Sequence, residues 1–126
     1  MRGLLAVGIA VALNIGLLLG FEAIGIDLRV PVRAGATEFT RMTLPPVLLI
    51  TFASTAIAVL LAMTLNRVTR KARIVFSSVV VLFAFLSLLT LLPLDSPSTD
   101  RVFQGVMHLV PAAALVALVS PTLRSE

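Results

Sequence analysis

Four stretches of this chain contain no Asp, Glu, Lys or Arg, and each is long enough to cross a membrane. They run over residues 3–21, 42–66, 74–94 and 102–123. Because an α-helix rises about 1.5 Å per residue and the hydrocarbon core is about 30 Å thick, roughly 20 residues span a bilayer. The sequence therefore predicts an all-α integral membrane protein, a four-helix bundle that forms a single transmembrane domain.

Prolines help to set the helix boundaries. Pro45 and Pro46 suit the first turn of the second helix, and Pro93 and Pro121 suit the ends of the third and fourth. The predicted spans are 3–26, 44–65, 74–94 and 102–121, joined by an outer loop at 27–43 and a basic loop at 66–73. We interpret the first stretch as a retained helix, since its apolar run exceeds the usual signal-peptide core of about 7–15 residues.

The composition excludes several classes of protein. The 126 residues are 59% hydrophobic and 13% charged, which leaves too few charges to cover the surface of a soluble enzyme. With no Cys and one His, the chain lacks the usual ligands of a zinc site or a haem, so we expect no metal and no cofactor. We also expect no enzymatic activity, because no nucleophile–base pair or carboxylate cluster is evident.

The net charge of +4 is interpreted as a topology signal rather than as a sign of nucleic-acid binding. Six basic residues fall on one predicted side: Arg2, Arg67, Arg70, Lys71, Arg73 and Arg124. The basic residues predicted on the other side are accompanied by acidic ones. The positive-inside rule then predicts that both termini are cytoplasmic, in the inner membrane of a bacterium. The basic loop would also contact anionic lipid; a regulatory lipid or partner site there is the alternative.

Small residues indicate where helices approach closely. Gly16 and Gly20 form a G-x-x-x-G pair in the first helix, and Ser54 and Ala58 lie on a small, partly hydroxylic face of the second. Such residues supply close packing and hydrogen bonds between helices in lipid. The Gly face is interpreted as a packing surface, either inside one bundle or between protomers. A hydroxyl-lined path for an ion or a small solute is the functional alternative.

Four polar residues form a candidate intramembrane site: Glu22, His108, Asn14 and Gln104. By helical rise, Glu22 lies about 6 Å and His108 about 9 Å from the outer ends of their helices. Since an ionisable group in a membrane suggests function, we hypothesise that these two face each other and are coupled in protonation. The alternative is that Glu22 reaches the interface and His108 makes a structural bond.

The outer loop carries a short alternating pattern. Leu28, Val30 and Val32 alternate with Arg29, Pro31 and Arg33, which predicts an extended segment, and residues 37–41 are expected to add a brief interfacial turn. A loop of this length often has a role, so we expect it to cap the bundle or to serve as a docking surface.

Four short motifs stand out along the chain: Gly25-Ile26-Asp27-Leu28, Arg67-Val68-Thr69-Arg70, Leu86-Ser87-Leu88-Leu89 before Pro93, and Met107-His108-Leu109-Val110. Together they resemble a family of small four-span bacterial membrane proteins of unknown function. The resemblance covers essentially the whole chain and implies the architecture and a recurring His at position 108. The chain is also similar in size to small multidrug-resistance exporters, which use a membrane-embedded Glu. Here Glu22 lies near a helix end, and Trp and Tyr are absent.

The favoured interpretation is a non-catalytic membrane protein that acts as an accessory or assembly subunit, or as a structural membrane component. Its expected partners are the lipid bilayer and a larger membrane complex or further copies of itself. The alternative is a small proton-coupled transporter or channel that uses Glu22 and His108.

Overall fold

The computed structural model describes residues 2–31, 38–92 and 98–125. Its long helices are α1 (Arg2–Ala23), α2 (Leu44–Val68), α3 (Ala72–Leu89) and α4 (Ser98–Leu118). Two short strands, β1 (Arg29–Pro31) and β2 (Phe39–Arg41), lie between α1 and α2, and a 3-10 turn, η1 (Ser120–Thr122), follows α4. The four helices are long and apolar enough to cross a membrane, which confirms the predicted fold class. The orientation of the termini remains a prediction.

The helix ends follow from local chemistry. The first helix stops at Ala23, short of the predicted 26, because Gly25 adopts a φ of +82°. The Gly25 N–H then donates to the Glu22 carbonyl at 3.0 Å, and the Ile26 N–H donates to the Phe21 carbonyl at 2.9 Å. A glycine in this left-handed conformation is a common way to end a helix and satisfy its last carbonyls.

The outer loop contains a small antiparallel hairpin. In its register, Arg29 faces Arg41, Val30 faces Thr40, and Pro31 faces Phe39. The extended segment expected near Val30 is therefore present as β1. The brief turn expected at 37–41 is wrong over residues 39–41, which form β2, because they pair their backbone groups with β1. Residues 32–37, and with them Val32 and Thr37, lie outside the described residues.

The helices pack around two apolar clusters, one at each end of the bundle. Helix α1 packs against α2 and α4, and α3 packs against the same two helices. The cluster at the end that holds the chain termini is built around Phe76, which is fully buried. The cluster at the other end is built around Leu18 and Leu28.

Polar side chains are buried between these two clusters. Along α1, Asn14 lies between Ala6 of one cluster and Leu18 of the other. Along α2, Thr51 and Thr55 lie between Val47 and Ala62 in the same way. The outer surface of the helices is apolar, as expected where the surrounding solvent is lipid.

Candidate functional site

Glu22 is held by an arginine from the outer loop. Arg41 Nη2 lies 3.3 Å from Glu22 Oε1 and 2.9 Å from Asp27 Oδ1, so a single guanidinium joins both carboxylates. The Glu22 side chain is about one-third exposed. Because Gly25 reverses the chain at the end of α1, Asp27 is brought back beside Glu22. This arrangement fixes the last turn of α1 to strand β2.

His108 lies apart from this cluster. It is exposed on the side of α4, and its side chain makes no hydrogen bond or ion pair with a described residue. Within the described residues no ion pair joins Glu22 to His108, since the carboxylate of Glu22 pairs with Arg41 instead. The coupled pair proposed from matched depth is thus not assembled by direct contact in this bundle.

Asn14 lies at the centre of the α1–α2 interface. Its Nδ2 donates a 3.0 Å hydrogen bond to Thr51 Oγ1, and both side chains are about 95% buried. Asn14 Oδ1 has no hydrogen-bond partner in the part of the chain that the structure describes. The Thr51 carbonyl accepts a second layer of bonds, from Thr55 Oγ1 at 2.6 Å and from Ser54 Oγ at 3.2 Å. The result is a buried polar contact between α1 and α2, in which the Asn14 side-chain amide makes only part of its possible hydrogen bonds.

Gln104 connects α4 to the outer hairpin. Its Nε2 donates a 2.6 Å hydrogen bond to the backbone carbonyl of Arg29, and the side chain is buried. Near the same end of the bundle, the rings of Phe21 and Phe103 pack in a tilted arrangement, with a centroid distance of 4.3 Å and an interplanar angle of 52°. Gln104 therefore acts as an anchor for β1, and the hairpin is tied to the bundle on both strands, through Gln104 on β1 and Arg41 on β2.

The four polar candidates do not form one site. Asn14 and Gln104 are buried, but each bonds to a different element, and Glu22 belongs to the interfacial ion pairs. Among the described residues, Asn14 and Glu22 each pair with a side chain, Gln104 pairs with a backbone carbonyl, and none of these partners is another of the four. Sequence reasoning missed Arg41 as the partner of Glu22, because nothing local indicates which loop charge returns to a given helix end.

The predicted packing residues divide between the inside and the outside of the bundle. Ala58 packs against the apolar cluster around Phe76. Gly16, Gly20 and Ser54 are exposed, and a Cβ added at either glycine would meet no atom of the described residues within 4 Å. The close approach of α1 to α2 occurs instead at Gly3, where an added Cβ would lie 2.7 Å from Val59 Cγ1. Packing by the Gly16–Gly20 face thus stays a prediction for contacts with another chain.

The basic loop lies at the end of the bundle that holds both termini. Arg73 differs from its neighbours, because its Nε and Nη2 donate to the carbonyls of Ser120 and Pro121 at 3.2 and 3.0 Å. Asn66 Oδ1 accepts a 2.9 Å bond from the Arg124 backbone N–H. The other basic residues of the loop are exposed: Arg67, Arg70 and Lys71. Arg73 therefore closes the C-terminus onto α3, and the remaining charges face outwards.

The described residues contain no group of three or more His, Cys, Asp or Glu side chains placed to hold a metal ion. In the same part of the chain the carboxylates of Glu22 and Asp27 are both engaged by Arg41. The arrangement is suited to holding the outer hairpin against the end of α1.

Comparison with known proteins places the chain in a family. A family of unknown function, DUF6069, matches residues 1–125. The chain belongs to this family, which confirms the resemblance to a family of unknown function drawn from its short motifs. No curated protein and no solved structure shows a match.

Proposed function

We propose that this member of DUF6069 is a non-catalytic accessory or assembly subunit, which docks against another transmembrane protein through the outer face of α1. The observation that carries the proposal is that α1 has two small-residue faces and the bundle uses only one. A protein whose role is to pack against a partner needs such an unused face.

The inner face of α1 is complete without a partner. Ala6, Ala10, Asn14 and Leu18 are buried against the other helices. The outer face carries Gly8, Gly16 and Gly20, and a Cβ added at any of them would lie more than 4 Å from every atom that the structure describes outside the helix itself. Each glycine in a helix costs up to about 1 kcal/mol relative to alanine, and no close contact with the described residues offsets that cost here.

The outer face is shaped as a groove along α1. Ala12, Gly16 and Gly20 line it together with larger apolar side chains, among them Leu13 and Phe21. In lipid, helices associate through close packing at small residues rather than through the hydrophobic effect. The groove therefore fits a single apolar helix crossing α1 at close range.

The absence of catalysis in this proposal rests on composition. One His and no Cys leave few groups able to act as a nucleophile or as a metal ligand. The transporter alternative, which depends on Glu22 and His108 acting together, has less support, because Glu22 pairs with Arg41. The proposed location, a bacterial inner membrane with both termini in the cytoplasm, rests on the charge asymmetry of the chain.

The test is affinity purification of the full chain with a C-terminal tag in mild detergent, followed by native mass determination. We expect a stoichiometric complex with a second membrane protein. Gly16→Ile and Gly20→Ile should abolish that complex while the helical circular dichroism is unchanged, since both positions are open within the bundle. The matched control is Ala53→Ile, which enlarges an exposed small residue on α2 and should leave the complex intact.

Other outcomes are equally informative. A homo-oligomer disrupted by the same glycine substitutions would assign the groove to self-association and overturn the accessory role. A monomer, or a complex that survives Gly16→Ile and Gly20→Ile, would remove the support that this groove gives to the proposal.

A further inference from the structure

Basic residues gather at the end of the bundle that holds both chain termini. They come from the start of α1, from the end of α2, the turn after it and the start of α3, and from the segment after η1: Arg2, Arg67, Arg70, Lys71, Arg73 and Arg124. The acidic residues that the structure describes all belong to the opposite end: Glu22, Asp27, Glu38 and Asp100. Glu126 follows Arg124 in the sequence and lies outside the described residues. This end of the bundle is therefore strongly cationic.

A groove opens at this basic end. It is lined by Arg2 and Leu5 of α1, Ala117 and Leu118 of α4, and Pro121 of η1. Arg2 is exposed and makes no ion pair or side-chain hydrogen bond with a described residue. Leu5 is 57% exposed. The groove thus offers a free guanidinium beside an apolar surface that runs along two helices.

Arg2 differs in this respect from Arg73. The guanidinium of Arg73 is used within the fold, because it donates to the carbonyls of Ser120 and Pro121. Arg2 carries the same group at the rim of the groove with its donors available. A guanidinium matches the geometry of a phosphate and binds it through two parallel hydrogen bonds.

We propose that this groove binds one anionic phospholipid from the adjoining leaflet. The phosphate contacts Arg2, and an acyl chain lies along Leu5, Ala117 and Leu118. A phospholipid carries a negative headgroup at one end and apolar acyl chains below it. Arg2 and Leu5 follow the same order along α1, with Arg2 at the level of the headgroup and Leu5 at the level of the acyl chains. The surrounding exposed basic residues attract anionic lipid to this surface in general, and the groove selects one molecule from it. This inference is independent of the proposed docking face, which is lined by other residues of α1.

The test uses the full chain with a C-terminal tag, titrated in mild detergent with phosphatidylglycerol and followed by native mass spectrometry. Phosphatidylcholine with the same acyl chains is the neutral comparison. We expect the first phosphatidylglycerol to bind more tightly than phosphatidylcholine. Arg2→Gln should weaken that binding about tenfold, in keeping with the loss of one charge-assisted contact. Arg67→Gln removes the same charge at a position outside the groove, and it should change the affinity for phosphatidylglycerol by less than about twofold.

A second variant tests the apolar half of the site without changing charge. Ala117 is exposed, so Ala117→Phe fills the groove from outside the core and leaves the bundle intact. It should weaken phosphatidylglycerol binding about as much as Arg2→Gln, that is by about tenfold. Circular dichroism shows whether each variant keeps its helices. If Arg2→Gln loses its helices, lipid binding by Ala117→Phe alone tests the proposal.

Three results would overturn the proposal. If Arg2→Gln and Arg67→Gln lost the same affinity for phosphatidylglycerol, general attraction of anionic lipid to the basic end would account for the binding. Unchanged binding in Ala117→Phe would place the lipid elsewhere. If phosphatidylcholine bound as tightly as phosphatidylglycerol, the groove would not select for a net negative charge on the lipid.

Discussion

Asn14 Nδ2 donates a 3.0 Å hydrogen bond to Thr51 Oγ1 in the middle of the bundle, while Asn14 Oδ1 finds no hydrogen-bond partner among the described residues. The two residues belong to α1 and α2, between the apolar clusters at either end. A buried polar group specifies how two elements align, because any shift of one helix along the other leaves more polar atoms unpaired. We infer that this pair fixes the register of α1 on α2.

The Asn14–Thr51 pair yields an asymmetric prediction. Thr51→Val should destabilise the bundle by about 1–2 kcal/mol, because it leaves the whole buried amide of Asn14 unpaired. Asn14→Leu removes the bond together with the unpartnered carbonyl, and should cost less than Thr51→Val. Unfolding by SDS in mixed micelles, followed by circular dichroism, measures both. Thr64→Val is the control, since that hydroxyl is exposed and bonds only to the Leu60 carbonyl. A larger loss for Asn14→Leu than for Thr51→Val would contradict this account.

Gly3 should tolerate no side chain without a shift of α2. A Cβ at this position would lie 2.7 Å from Val59 Cγ1, and a β-branched valine has little freedom to rotate away. Gly3→Ala is expected to cost about 1–3 kcal/mol in the same unfolding assay. Val59→Ala should relieve that cost in the double variant. Gly8→Ala, on the open face of the same helix, should be neutral or slightly stabilising; an equal loss at both glycines would point to helix propensity rather than to packing.

Arg41 should contribute little to stability at high salt. Its side chain is 56% exposed although it reaches both Glu22 and Asp27. Exposed ion pairs contribute about 0–1 kcal/mol and are screened by salt, so Arg41→Gln should lower the melting temperature slightly at low ionic strength and less at 0.5 M salt. Arg67→Gln serves as the comparison at the other end of the bundle. A loss for Arg41→Gln that persists at high salt would indicate that the pair is shielded from solvent.

Gln104 should control the order of the outer hairpin rather than of the helices. Gln104→Leu removes the donor to the Arg29 carbonyl and keeps an apolar side chain of similar size. We expect faster hydrogen exchange across β1 and β2, with protection in α1 and α2 unchanged. His108→Leu is the matched control, because this residue lies one turn along the same helix and is exposed. Faster exchange in both variants would trace the effect to α4 as a whole.

Several features of the candidate site followed from the sequence, and others did not. The absence of charge predicted which segments form helices, and the prolines near the start of α2 lie in its first turn as expected. Asn14 and Gln104 were identified as candidates because they are polar residues within predicted apolar spans. Their partners were not predictable, since Thr51 is 37 positions from Asn14 and Arg29 is 75 positions from Gln104.

The sequence by itself determined that four helices form and that each is long enough to span a bilayer, because both depend on local composition and on the thickness of a bilayer. Only the tertiary structure decided which side of each helix faces inwards. Helix α1 has two faces of small, apolar residues. One carries Gly3, Ala6 and Ala10, and the other carries Gly8, Gly16 and Gly20. Lipid solvates either face, so no hydrophobic difference separates them. Contacts with α2 determine which face of α1 is buried: Val59 packs against Gly3, and Thr51 bonds to Asn14.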